Sequence, residues 1–126
     1  MTRNDKVGAV IATFFPDEGN LNNISFNASQ VTELFLFDDT PHDKLNFFDR
    51  TGVQLNLKMN FHNLHSKHHN VHHIFNGENV ALPINYNRSL QLALDLGSEF
   101  LILIDQDWKI NEQTIFGLFK IYFKLI

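Results

Sequence analysis

Cysteine is absent from the 126-residue chain, and basic residues are outnumbered by acidic ones. The lack of cysteine excludes disulfide scaffolds, cysteine-based zinc sites and thiol catalysis, and it is compatible with a reducing compartment. With 10 Lys and Arg against 14 Asp and Glu, the net charge of −4 gives no general attraction to nucleic acid or to anionic lipid. We therefore expect a protein that does not bind nucleic acid.

Long hydrophobic runs and targeting signals are also missing. No apolar run approaches the roughly 20 residues that a membrane-spanning helix needs. The polar start, Met1–Lys6, lacks the basic beginning and apolar stretch of a signal peptide. These features favour a cytoplasmic protein and leave open a peripheral association with the inner face of the membrane.

Apolar residues, in contrast, are plentiful. They make up 44% of the chain and include 13 phenylalanines, which excludes a disordered tail. A chain of this length buries roughly two-thirds of its unfolded surface and needs no disulfides to fold. The composition predicts a single domain that spans residues 1–126.

Three apolar runs predict strands that are buried on both faces, as in a parallel sheet. The predicted strands are Val7–Phe15, Leu34–Phe37 and Phe100–Ile104, with Val71–Phe75 as a shorter candidate. Leu21–Gln30 has helical spacing and links the first two strands in a right-handed βαβ unit. A helix from Pro83 ends at Gly97. The predicted fold class is α/β, with a mainly parallel sheet flanked by helices.

The middle of the chain is ambiguous. Leu45 and Phe48 suggest a short helix that ends near Gly52. Apolar and polar residues alternate over Val53–Phe61, which favours an amphipathic strand. A helix that continues through the following histidines is the competing interpretation, and the pattern does not separate the two.

Polar residues end the three predicted strands. Thr13 follows the first, Asp38 and Asp39 the second, and Asp105 and Asp107 the third. The carboxyl ends of parallel strands share one edge of a sheet, where ligands bind. Carboxylates there can accept hydrogen bonds from ribose or a base, and they can hold Mg²⁺ or Mn²⁺. Aspartate is also common in turns because its side chain caps its own backbone, so a structural role for each stays open.

Four segments resemble motifs of family 2 glycosyltransferases, in the same order and at the same spacing. Asn79–Gly97 resembles the segment N-x-G-x-x-x-A-x-N-x-G-x-x-x-A-x-x-x-G, without a gap. The other matching segments are Val7–Pro16, Leu36–Thr40 and Phe100–Asp107, the last similar to the strand and Asp-Gln-Asp of rhamnosyltransferase-like members. The resemblance covers nearly all of this chain but only the nucleotide-binding half of a family member.

This resemblance implies a Rossmann-like sheet, the nucleotide-binding half of the GT-A fold, and a role for each strand-end residue. Thr13 borders the nucleoside, Asp38 accepts from the base, and Asp39 lies beside it at the nucleotide. Asp105 lies near the ribose and the metal, and Asp107 is the direct ligand of Mg²⁺ or Mn²⁺. The implied partners are a dTDP- or UDP-linked sugar, rhamnose among them, and a saccharide or lipid-linked acceptor. The implied reaction transfers the sugar to an acceptor hydroxyl with inversion.

The chain departs from the family pattern at several positions. Phe15 replaces the asparagine before proline, Ala81 and Ser89 replace glycines, and Trp108 replaces a small residue. Where glycine serves close backbone approach, a Cβ intrudes and weakens donor binding. The family's general base comes from an acceptor half to which no residue here corresponds. No catalytic residue is therefore assigned, and we expect sugar transfer to be slow or absent.

Other functional classes stay open. One is a non-catalytic remnant that still binds a nucleotide. A second is a receiver-like signalling domain, although its acidic pair should follow the first strand. A third is a metal-buffering protein based on the histidine tract, which consists of His62, His65, His68, His69, His72 and His73. If the tract is helical, His62, His65, His69 and His72 share a face; the alternative is a solvated connector.

The last segment predicts a helix that is apolar on nearly every side. Asn111 is a plausible N-cap, and Ile115–Ile126 is an apolar run without a final turn or cap. Such a helix expects a partner layer. We therefore expect a truncated nucleotide-sugar-binding part and a homodimer formed through this exposed helix.

Overall fold

The computed structural model describes residues 5–109 and 122–124 of the chain, the last three by their backbone. The strands are β1 (Val7–Thr13), β2 (Glu33–Asp38), β3 (Asn46–Phe48), β4 (Gln54–Asn56), β5 (Val71–Phe75), β6 (Phe100–Asp105) and β7 (Tyr122–Lys124). The helices are α1 (Glu18–Ala28), α2 (Leu57–Lys67) and α3 (Leu82–Asp95), with a short 3-10 helix at His42–Lys44.

The main sheet has the strand order β5-β2-β1-β6-β7. Strands β5, β2, β1 and β6 are parallel, and β7 is antiparallel to β6. The prediction of an α/β fold with a mainly parallel sheet is confirmed. In this register Thr13 pairs with Asp38 and Ala12 pairs with Asp105, so the predicted strand ends meet at one edge of the sheet.

Apolar side chains bury the sheet on both faces, as the continuous apolar runs predict. One face packs on α1 and α2 through a cluster that includes Ile11, Leu36, Ile24 and Phe61. The opposite face packs on α3 through a smaller cluster of Val10, Phe35, Phe37, Ala93 and Leu101. Successive residues of each strand therefore alternate between the α1 side and the α3 side of the sheet.

Local capping fixes where two helices begin and end. Asp17 and Asn20 form a capping box that starts α1, since each side chain accepts from the other's backbone N–H. Helix α3 has Pro83 in its first turn, and Gly97 follows it with a φ of +79°, a left-handed conformation that glycine adopts without strain. Both features agree with the sequence prediction for α3.

The short helix expected around Leu45 and Phe48 is wrong. Asn46–Phe48 is strand β3, which pairs antiparallel with β4. The turn between them is held by Asp49, whose carboxylate accepts from the backbone N–H groups of Thr51 at 2.8 Å and Val53 at 3.0 Å. An aspartate that caps its own turn closes a hairpin, and this local bonding outweighs the weak apolar spacing.

The amphipathic strand expected over Val53–Phe61 is correct only for β4, and the competing helix accounts for the rest. Asn56 caps α2 by accepting from the Met59 backbone N–H at 3.2 Å. Leu57, Phe61 and Leu64 are buried at helical spacing, whereas Met59 is 55% exposed. Burial of every third or fourth residue, rather than of every second, is the pattern of a helix, so this segment packs on the core as a helix and not as a strand.

The predicted final helix over Ile115–Ile126 is wrong at Tyr122–Lys124, which form strand β7. This strand pairs with Phe100–Ile102 of β6 and satisfies backbone groups that a free sheet edge would leave unpaired. The proposed N-cap, Asn111, and the rest of the segment lie outside the described residues. The homodimer expected from this helix therefore stays a prediction.

No helix in the described part of the chain is both long enough and apolar enough to cross a membrane.

Candidate functional site

The ends of β1 and β2 form a closed hydrogen-bonded group. The Thr13 hydroxyl donates to Asp38 Oδ1 at 2.7 Å, and the Thr40 hydroxyl donates to the same oxygen at 3.0 Å. The Thr40 backbone N–H donates to Asp38 Oδ2 at 3.2 Å. Asp38 has no exposed surface, and burial raises its pKa to about 6 against the opposing effect of these hydrogen bonds.

Asp39 also has its carboxylate engaged, on the α3 side. The Asn76 amide donates to Asp39 Oδ1 at 2.7 Å, and the Asn85 amide lies 3.3 Å from both carboxylate oxygens. Arg88 donates in turn to Asn76 Oδ1 at 2.6 Å. Because Asp39 is 5% exposed and Asn85 is fully buried, this network joins the ends of β2 and β5 to the first turns of α3.

Asp105 lies on the opposite face of the sheet from Asp38. Along β6, Leu101 and Leu103 pack on the α3 side, and Asp105 continues that alternation. Thr13 and Asp38 instead lie two residues after Ile11 and Leu36, which pack on the α1 side, and so continue the alternation on that side. The structure thus brings the predicted residues to one edge of the sheet but separates them into two groups.

A crevice of about 500 Å³ opens beside Asp105. It is lined by Tyr86, Leu103, Asp105, Asp107 and Trp108, and both carboxylates are exposed. Burial raises the pKa of Tyr86, and the charge of Asp105 adds to that rise, so the phenol stays protonated and able to donate. We call this space the donor crevice. Its volume and its mixture of aromatic and polar walls are typical of a small-ligand site.

The loop that carries Asp107 is anchored to α1 and β1. Asn20 donates from its amide to Asp107 Oδ1 at 2.7 Å and to the Gln106 carbonyl at 3.3 Å. Asn27 donates to the Trp108 carbonyl at 2.8 Å, and Gln106 Oε1 accepts from the Phe14 backbone N–H at 3.0 Å. These contacts hold Asp107 at the top of the sheet edge and leave its second carboxylate oxygen without a partner in the described part of the chain.

Asp105 and Asp107 fit a hard divalent cation. Both are exposed carboxylates on the same crevice, and Mg²⁺ is commonly held by one or two carboxylates together with substrate phosphates and water. Among the described residues, no group of three His, Cys, Asp or Glu side chains could hold a metal ion by itself. A cation held by these two carboxylates would need its remaining ligands from water or from a bound molecule.

The histidine tract does not form one helical face. Helix α2 ends at Lys67, so it carries His62 and His65, while His72 and His73 belong to β5. The His72 ring lies 2.6 Å from Glu33 Oε2, and His65 Nδ1 lies 2.8 Å from the Val71 carbonyl. Of the two interpretations left open for the tract, the one with four histidines on one helix face does not hold, because the chain leaves the helix after Lys67 and returns to the sheet as β5.

Several residues at the site have no place in the sequence prediction. Asn20 and Gln106 position the Asp107 loop, Asn76 and Asn85 bind Asp39, and Tyr86 lines the donor crevice. Asn85 carried a signal, since it stands where the motif quoted above has alanine. The others are polar residues whose partners lie far away in the chain, and no local pattern identifies them.

Two of the departures from the family pattern occupy left-handed backbone positions. Phe15 has a φ of 44° and Ala81 a φ of 71°, which is strained for a residue with a Cβ. Ser89, at another glycine position, is buried and donates its hydroxyl to the Tyr86 carbonyl at 2.7 Å. The backbone thus keeps the conformation that asparagine or glycine would favour.

Comparison with known proteins gives a match in fold alone. No protein-family profile matches the chain, and no curated protein sequence matches it. Two crystal structures of Staphylococcus aureus TarS, a glycosyltransferase with the GT-A fold, are similar to it. For TarS 1–349 the TM-score is 0.55 at 18% identity, over 87% of this chain. For the longer TarS structure the TM-score is 0.56 at 19% identity, again over 87% of this chain.

The match covers only part of the TarS protein. This chain spans 30% of the length of TarS 1–349 and 18% of the longer TarS chain. The expectation of a fold that corresponds to part of a GT-A enzyme therefore agrees with the structural neighbours. The chain has a glycosyltransferase-like fold.

Proposed function

We propose that this chain binds a nucleoside-diphosphate sugar, linked to UDP or dTDP, together with Mg²⁺ or Mn²⁺ in the donor crevice. The proposed activity is transfer of the sugar, rhamnose among the candidates, to a hydroxyl of a saccharide or lipid-linked acceptor. The single observation that carries this proposal is the pair of exposed carboxylates, Asp105 and Asp107, on a crevice at the carboxyl end of β6.

The walls of the donor crevice suit a nucleotide. The Tyr86 and Trp108 rings offer apolar surface on which a base or ribose can pack, and Leu103 adds a further apolar side chain to the lining. The two carboxylates would hold the divalent cation, and Asp105 can also accept from a ribose hydroxyl. The bound cation would supply stabilisation of the negative charge that develops on the departing diphosphate.

The buried group formed by Thr13, Asp38 and Thr40 takes a supporting role in this proposal. Its hydrogen bonds tie the end of β1 to the end of β2, and Asp38 exposes no surface to a ligand. Asp39 is likewise held by amides, so it borders the nucleotide without a free oxygen for the base. We therefore propose that the ligand contacts the residues around Asp105 directly and does not contact Asp38.

Isothermal titration calorimetry tests the proposal. UDP and dTDP are titrated into the protein with and without Mn²⁺, and we expect binding that depends on Mn²⁺. The variants Asp105→Asn and Asp107→Asn should each lower the affinity at least tenfold, a typical effect of losing one ligand-site contact.

The matched control is Glu99→Gln, since Glu99 immediately precedes β6 and lies at the opposite end of that strand from Asp105. This variant removes a carboxylate of the same charge and should bind normally. Absence of nucleotide binding to the wild-type chain, or equal affinity in Asp107→Asn and the wild type, would refute the proposed site.

A further inference from the structure

Three histidine rings of the tract lie together where α2 ends and the chain enters β5. The His65 ring, in the last turn of α2, has its centre 5.8 Å from that of His69 and 6.3 Å from that of His73. His65 and His69 are exposed, and His73 is half-buried. The turn after α2, rather than a single helix face, therefore brings these side chains to one place.

The backbone fixes the tautomer of the His65 ring. His65 Nδ1 lies 2.8 Å from the Val71 carbonyl oxygen. Because a carbonyl can only accept, Nδ1 carries the proton and donates it, and Nε2 of the neutral ring keeps a free lone pair. Metal-binding histidines are typically held in this way, with one ring nitrogen donating to a carbonyl or carboxylate and the other bound to the metal. His65 therefore has the tautomer that a metal ligand needs.

Two neighbouring histidines of the tract are engaged elsewhere. His68 Nε2 lies 2.9 Å from the Ser25 hydroxyl, and His72 Nε2 lies 2.6 Å from Glu33 Oε2. The His69 ring is exposed, and among the described residues it has ring contacts but no hydrogen-bond partner. Its nitrogens are therefore available to an ion that the ring in the last turn of α2 also binds.

His73 lies behind this pair, on the sheet. Its ring contacts the Phe61 and Phe75 rings edge-on, and its Nδ1 is buried with no hydrogen-bond partner in the part of the chain that the structure describes. Burial lowers the pKa of His73, and the neighbouring His65 and His62 lower it further. The ring is therefore uncharged at neutral pH and does not repel a cation at His65.

The spacing of the His65 and His69 rings suits one ion. An imidazole nitrogen binds a metal at about 2.0–2.1 Å and lies about 1.1 Å from its ring centre, so two rings on one ion have centres about 4.5 Å apart at right angles and about 6.4 Å apart when opposite. The observed 5.8 Å lies within this range. Since no three His, Cys, Asp or Glu side chains of the described residues could hold an ion, two imidazoles would bind it and water would complete its coordination.

The donor atoms select the class of cation. Between Asp49 and Glu78 the sequence has no carboxylate, so the ligands here are neutral nitrogens, which suit Cu²⁺, Ni²⁺ and Zn²⁺ but not Mg²⁺. Affinity for such donors is highest for Cu²⁺, whose tetragonal geometry accepts two nitrogens and water. The carboxyl end of α2 attracts a cation, and the exposed Lys67 opposes it through a charge that solvent and salt screen.

We propose that His65 and His69 bind a late first-row divalent cation, with Cu²⁺ the tightest, at the end of α2. His65 supplies Nε2 because its Nδ1 is bonded to Val71, and His69 supplies the second nitrogen. The ion would join the last turn of α2 to the turn before β5. This site lies at the amino-terminal end of β5, at the opposite edge of the parallel strands from Asp105, and it does not depend on the proposed function.

Titration of Cu²⁺ and Ni²⁺ into the chain, without an added histidine tag, tests the proposal. We expect Cu²⁺ to bind with nitrogen coupling in its electron paramagnetic resonance spectrum, and to raise the melting temperature because it binds the folded chain. His65→Gln and His69→Gln should each lower the Cu²⁺ affinity at least tenfold, since even the loss of a partner that orients a ligand costs about ten- to hundredfold. Both side chains are exposed, so these variants should fold normally.

His42→Gln is the matched control, because His42 is also exposed but lies in the 3-10 helix, outside the tract. It should bind Cu²⁺ as the wild type does, and excess Mg²⁺ should not displace the Cu²⁺. Binding of UDP with Mn²⁺ should persist in His69→Gln, so failure of this site and failure of the donor crevice are distinguishable.

Three results would overturn the proposal. The first is that Cu²⁺ does not bind to the wild-type chain. The second is that His42→Gln lowers the Cu²⁺ affinity as much as His69→Gln does. The third is that His73→Gln lowers the affinity whereas His69→Gln does not, which would assign the ion to a different pair of rings.

Discussion

Asp38 and Asp105 end the two strands that flank β1, yet their surroundings differ completely. Asp38 is fully buried and accepts three hydrogen bonds from Thr13 and Thr40. Asp105 is exposed on a crevice of about 500 Å³, with Tyr86 and Trp108 as neighbours. The same residue type at the same edge of one sheet is therefore hydrogen-bonded inside the fold in one place and exposed on a crevice in the other.

This difference follows from the pleat of the sheet. Asp38 lies on the α1 side of the sheet, where the Thr13 and Thr40 hydroxyls donate to it. Asp105 lies on the α3 side, where it lines a crevice. A carboxylate that is already bonded by its own chain contributes to the fold. One that is exposed beside aromatic rings can exchange water for a ligand.

The largest predicted effect concerns Asp38 and the pH dependence of stability. Its pKa of about 6 in the folded state lies above the ordinary value of 3.8, so between these pH values the folded chain holds the proton more tightly. Its contribution to stability is therefore complete below pH 3.8 and is lost as the pH rises through about 6. The difference between the pKa of Asp38 in the folded state and its ordinary value corresponds to about 3 kcal/mol in the free energy of unfolding.

Urea unfolding of the wild type and of Asp38→Asn across this pH range measures the effect. The free energy of unfolding of the wild type should fall relative to that of Asp38→Asn by about 3 kcal/mol as the pH rises past both pKa values. The exposed Asp43 provides a control, and Asp43→Asn should follow the wild type at every pH. If the difference in the free energy of unfolding between the wild type and Asp38→Asn stayed constant with pH, the Asp38 carboxyl would not have the raised pKa of a buried group.

A smaller effect on stability is predicted for Asn20, which holds Asp107 beside the donor crevice. Asn20→Ala removes the amide that holds Asp107 Oδ1 at 2.7 Å and half of the capping box of α1. We expect a loss of about 1 kcal/mol in stability from the cap. The affinity for UDP with Mn²⁺ should fall by about tenfold, because partners that orient a ligand-binding carboxylate typically have effects of this size.

Asn22→Ala is the matched control for this variant, because Asn22 is exposed on the same helix. It should change neither stability nor nucleotide affinity by a comparable amount. If Asn20→Ala lowered stability but left the affinity at the wild-type value, Asn20 would cap α1 without positioning Asp107.

Much of the fold could be predicted from the sequence. The continuous apolar runs indicated the parallel strands, and Pro83 and Gly97 indicated the bounds of α3. The middle of the chain could not be predicted in the same way. At Asp49, side-chain bonding to the turn decides for a hairpin, and in α2 the burial of Phe61 and Leu64 decides for a helix over a strand.

The candidate site could be predicted as a set of residue types but not as a geometry. Parallel topology indicated that Thr13, Asp38 and Asp105 meet at one edge, which the register shows. Which carboxylates stay open depends on the face of the sheet and on distant partners. Asn20 lies 87 positions from Asp107, and no spacing rule connects them.

The central claim is that the open side of the sheet edge, around Asp105 and Asp107, holds the nucleotide and the cation. Trp108 is the only tryptophan in the chain, so its indole N–H gives one identifiable NMR signal beside this crevice. We predict that Mn²⁺ with UDP broadens this signal beyond detection, since the paramagnetic ion would lie next to it, whereas Mg²⁺ with UDP shifts it without broadening. An indole signal that is unchanged by saturating UDP and Mn²⁺ would contradict the account.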